Sequence, residues 1–123
     1  MQNKKPPIRF RFKKNIGFYG IKSLKDMSEG KSNLAHFTTS KEIFIAGGSS
    51  SRGYGIANVE SYDIKRDAWK FLPSLNHSRT LAGLCLFRQR FLYAFGGQNE
   101  EGFVKFTERL DVREGTRWET LKV

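Results

Sequence analysis

The chain has 123 residues, 38% of them hydrophobic and 28% charged, and its 22 Lys and Arg against 12 Asp and Glu give a formal net charge of +10. That length is one small domain; a single cysteine, Cys85, excludes an intrachain disulfide, and no apolar run approaches the roughly 18 residues of a membrane span or forms a signal-peptide core near the start. Gln2 stands where N-myristoylation needs a glycine, so the expected compartment is cytoplasmic.

The charge surplus is local. Residues 1–31 hold nine bases and two acids, which is seven of the ten surplus charges. Residues 1–7 read as a basic tail. Lys4, Lys5, Arg9, Arg11, Lys13 and Lys14 interleave with Phe10 and Phe12, a mixture that can track phosphates while stacking bases. The alternation Arg9-Phe10-Arg11-Phe12 also fits a strand. Further on, Ile21, Leu24 and Met27 are spaced by threes, 48 positions before Trp69, Leu72 and Leu75. Residues 8–33 therefore read as the trailing strands of a repeat whose leading half is absent.

Two fuller copies follow, over 34–75 and 76–123. Ile43-Phe44-Ile45-Ala46-Gly47-Gly48 recurs as Leu92-Tyr93-Ala94-Phe95-Gly96-Gly97, 49 positions on. Glu60-Ser61-Tyr62-Asp63 recurs as Glu108-Arg109-Leu110-Asp111 at 48, and Trp69 as Trp118 at 49. The one-residue drift falls between strands, where turns vary. Each copy predicts four strands: one near 36–38 or 84–86, one at 42–46 or 91–95, one at 58–63 or 106–111, and one starting at the Trp. The second strands are apolar on both faces, as in strands covered on both sides. Gly47-Gly48 and Gly96-Gly97 end those strands where φ must be positive or a side chain would clash. Trp69 and Trp118 supply flat area for sheet stacking, with Trp69 expected to be buried against a neighbouring sheet and Trp118 less so. Tyr62 reads as a buried ring whose hydroxyl finds a partner. Cys85 sits in the apolar run Leu84-Cys85-Leu86-Phe87 and acts as a small hydrophobe.

This combination, in phase over two copies, resembles the kelch repeat: an apolar strand ending in Gly-Gly, a Glu-x-Tyr-Asp-type strand, then a spaced Trp. The resemblance covers 34–123 and, weakly, 8–33, and its period agrees. It implies an all-β fold, a partial β-propeller of about two complete four-stranded antiparallel blades plus a trailing half blade at the N-terminus. It also implies a protein-binding role, as adaptor or scaffold, through loops gathered on one face: 49–57, 98–105, and the turns around Lys31 and at 76–79. Within them Arg52, Tyr54, Arg79, Asn99 and Phe103 are the candidate partner contacts, aromatic anchors and Arg forks being the dominant interface types. Arg79 has a second reading, as a brace where the chain enters the blade. Closed propellers have roughly 4–8 blades, so two and a half leave apolar faces for further kelch blades or a larger assembly to cover. The alternative function is contact with nucleic acid or a ribonucleoprotein through the basic arm.

Chemistry finds no foothold in the sequence. His36 and His77 lie 41 positions apart with no Cys or His at metal-ligand spacing. Kelch-like copper radical enzymes need a Tyr–Cys pair and several His; here the only thiol, Cys85, reads as buried and there are two His. Ser49-Ser50-Ser51 lacks the strand–elbow–helix setting of a hydrolase nucleophile. The glycine-rich 47–53 lacks the Lys and helix of a phosphate loop. The expectation is no enzyme, no metal and no cofactor.

Overall fold

A computed structural model describes residues 11–15, 18–23, 32–51 and 53–121, the first two segments by their backbone. Every described element is a strand. β1 (Arg11–Asn15) and β2 (Phe18–Ser23) form an antiparallel hairpin. β3 (Ala35–Thr38), β4 (Glu42–Ala46), β5 (Val59–Asp63) and β6 (Ala68–Leu72) form a four-stranded antiparallel meander. β7 (Gly83–Phe87), β8 (Phe91–Phe95), β11 (Thr107–Asp111) and β12 (Glu119–Leu121) form a second. A short hairpin, β9 (Gln98–Asn99) with β10 (Gly102–Phe103), is inserted between β8 and β11. The two meanders are the blades expected from the repeat.

Period-two alternation explains how the blades stack. From the first blade Ala35, Phe44, Ala46 and Val59 turn to one side; from the second Leu84, Leu92, Ala94, Leu110 and Trp118 turn to meet them in one core, with Leu75 from the connection. The first blade's other face carries a separate buried group, Ile43, Ile45 and Tyr62. Burial and the neighbouring Asp67 carboxylate, which accepts its hydrogen bond, keep the Tyr62 phenol protonated well above its ordinary range.

The tryptophans reverse the expected order. Trp118 is 2% exposed, and its Nε1–H donates to the Pro73 carbonyl at 2.7 Å. Trp69 is half-buried against the Tyr62 ring, centroids 5.0 Å apart. The reason is the direction of stacking: the second blade's inner face presses back on the first, so Trp118 is covered by chain 45 residues earlier. β8 corrects a second expectation. Its Leu92 and Ala94 are buried, but on the other side Phe91 and Tyr93 are half-buried and Phe95 is 43% exposed, so the described residues cover that side only in part.

Candidate interaction face

The seam between the blades starts at the paired glycines. Gly47 and Gly48 have φ of +68° and +104°, and a Cβ on Gly47 would lie 2.2 Å from the Arg79 carbonyl. Only a residue without a side chain lets the next segment approach so closely. The Gly48 N–H then donates to that carbonyl at 2.9 Å, and the Arg79 N–H to Ile56 O at 3.1 Å. Thr80 and Gln98 exchange two backbone hydrogen bonds, 2.8 and 2.9 Å. These links carry the chain from blade to blade and bring the 49–57 loop, the 76–80 turn and the β9–β10 hairpin to one end of the sheets.

Beneath the turn lies a buried ion pair. The Arg79 Nη2 donates to Glu108 Oε2 at 2.6 Å, with both side chains 0% exposed. The Arg79 fork also reaches Gly96 O at 3.1 Å and His77 O at 3.3 Å. Glu108 accepts from the Asn76 and His77 N–H groups at 2.6 and 3.0 Å. A charge so far from water is tolerable only when most of its hydrogen-bonding capacity is met, and here three donors converge on one carboxylate. Arg79 is thus enclosed as an internal brace and offers no exposed contact, which corrects its reading as a partner anchor. Glu108, which sequence reasoning saw only as part of a strand motif, is the other half of the device. Its place on β11 beside Ala94 was legible; its partner, 29 residues earlier in a turn, was not.

Above this floor the surface opens. Tyr54 is 43% exposed and its hydroxyl lies 3.3 Å from Gln98 Oε1. Asn99 is half-buried: its Nδ2 donates to Ser78 O at 2.9 Å, and its Oδ1 accepts from the Glu101 N–H at 2.8 Å. Phe103 is 80% exposed at the end of β10. Phe106 stacks on His77, ring centroids 4.7 Å apart. The structure therefore brings Tyr54 and Asn99 together, with Phe103 on the same hairpin as Asn99. Arg52 lies outside the described residues, as do Lys4, Lys5 and Arg9; Arg11, Lys13 and Lys14 are placed in β1.

Residues 32–76 carry a kelch motif. The match takes in the whole first blade, from the bridge at Ser32 to the turn at Asn76. The second blade repeats the kelch layout strand for strand, with Gly96-Gly97 after its second strand and Trp118 before its fourth. Among the described residues no three His, Cys, Asp or Glu side chains are placed to hold a metal ion, and no helix is long and apolar enough to cross a membrane.

Proposed function

We propose that this chain is a kelch-type protein-interaction module that holds a partner on the loop end of its blades. The observation that supports this most is the joining of two successive blades' loops into one surface. The 49–57 loop, the 76–80 turn and the β9–β10 hairpin are tied by hydrogen bonds, and they present Tyr54 and Phe103 outward. A rigid platform carrying exposed aromatics can bury large area at small entropic cost, which is how a few residues dominate binding. A protein partner suits this end; further blades or a larger assembly suit the aromatic side of the second blade. A photo-crosslinking residue at position 103 should capture a discrete protein, whereas the same residue at position 41, in the turn at the opposite end of the first blade, should not. Equal capture from both positions would dismiss this end as the binding face.

A further inference from the structure

Between the loops the surface sinks into a cleft of about 400 Å³, lined by Tyr54 and Gly55 from the first loop, His77 from the turn, and Asn99, Glu100 and Glu101 from the hairpin. We propose that this cleft receives an arginine side chain of the partner, an assignment that rests on the interaction reading above and names the chemistry the cleft selects. The cleft is built before any ligand arrives. Gly55, at φ +99°, lets the first loop pass so close to the second that a Cβ would sit 3.0 Å from that of Asn99. The Asn99 side chain is tied to Ser78 and to the Glu101 backbone, and the Tyr54 hydroxyl to Gln98.

Its lining then selects a cation. In a chain of net charge +10, the formal charges on the described lining are both carboxylates, and neither is in an ion pair with a described residue. Glu100 leans across the opening: its Oε2 lies 3.9 Å from where a Gly53 Cβ would be. Tyr54, 43% exposed, lines the same cleft and brings an aromatic ring to it. A planar guanidinium satisfies both features, stacking on an aromatic ring while its fork of donors pairs with carboxylates; an ammonium meets charge and ring only as a point cation, without the stacked, bidentate geometry. A glutamate or phosphate on the partner would meet like charge and is rejected.

The test uses the full chain and the peptide acetyl-Gly-Arg-Gly-amide, with its citrulline, lysine and glutamate counterparts, followed by backbone amide NMR. The arginine peptide should give saturable shifts confined to 53–55, 76–78 and 98–102. Lysine should bind more weakly, and citrulline and glutamate should leave those amides unmoved. E100Q with E101Q should weaken the arginine peptide at least tenfold at unchanged melting temperature, and raising salt should weaken it further. Citrulline binding as well as arginine, shifts elsewhere on the chain, or indifference to the two substitutions would each overturn the assignment. The interaction reading fails separately: it falls if position 103 captures no protein, whatever the peptide does. A captured partner whose segment at the cleft has no basic side chain would leave that reading standing and remove the arginine site.

Discussion

Arg79 illustrates why one residue type can be read two ways. In a sequence, an Arg between two strands is a surface anchor by default, because Arg is rarely buried without a partner. Here the partner is Glu108, and both side chains are fully enclosed. Arg79→Met would strand a buried carboxylate, so urea unfolding should show a loss of about 3–5 kcal/mol, with R79M/E108L losing less than the sum of the two single changes. A loss under about 1 kcal/mol would place the guanidinium in solvent. Trp118 is the other residue whose environment was misjudged, because its cover comes from Pro73 and Leu75 and not from its own neighbours in sequence. Trp118→Ala should cost about 3–5 kcal/mol, the range for a large aromatic removed from a core. Loss of its hydrogen bond to Pro73 should also loosen the connection between the blades.

At the level of strands and turns, what repeats at 48–49 positions was legible: β4 with β8, β5 with β11, and the glycines that end β4 and β8. Alternation and turn residues are local signals, so strand positions came out within about a residue or two. The β9–β10 hairpin reads in sequence as a plain loop, since two-residue strands carry no periodicity. The cleft was legible only as loop composition, because it arises where segments 44 and 21 residues apart are bonded together. The turn after β11 has a chemistry of its own. The Asp111 carboxylate accepts from Arg90 at 2.7 Å and from the Arg113 and Glu114 N–H groups at 3.0 and 3.2 Å. The Arg90 fork is the main reason its carboxyl is held down to about 2, against an ordinary value of 3.8. A carboxyl depressed in the folded state stabilises the fold above its unfolded pKa, and that contribution disappears as pH falls through the folded value. Melting temperature followed from pH 5 to pH 2 should therefore fall more steeply in the wild-type chain than in Asp111→Asn. Parallel curves would mean that the Arg90–Asp111 pair persists on unfolding or is broken in the folded chain.

For the molecule as a whole, the decisive comparison is between equivalent faces of the two blades. On the first, Phe44 and Ala46 are buried because the second blade lies on them. The corresponding residues of the second, Tyr93 and Phe95, are half-buried and exposed, and Phe87 on the same sheet is 51% exposed. The glycines record the same asymmetry: a Cβ on Gly47 would strike the next blade's backbone at 2.2 Å, whereas one on Gly96 would meet nothing within 4 Å. Both have positive φ, so alanine strains each by about 1–2 kcal/mol. Gly47→Ala should cost clearly more than Gly96→Ala, because it also forces the blades apart. Repeat units gain stability by covering one another's apolar faces, so the proposal that a further blade or assembly seats on the second blade has a direct consequence. In light scattering at micromolar concentration, the isolated 123 residues should self-associate, and Phe87→Ser with Phe95→Ser should reduce that association without abolishing the cooperative melt. A monodisperse, cooperatively melting wild-type monomer would refute it, since the aromatic face would then be stable in water without a cover.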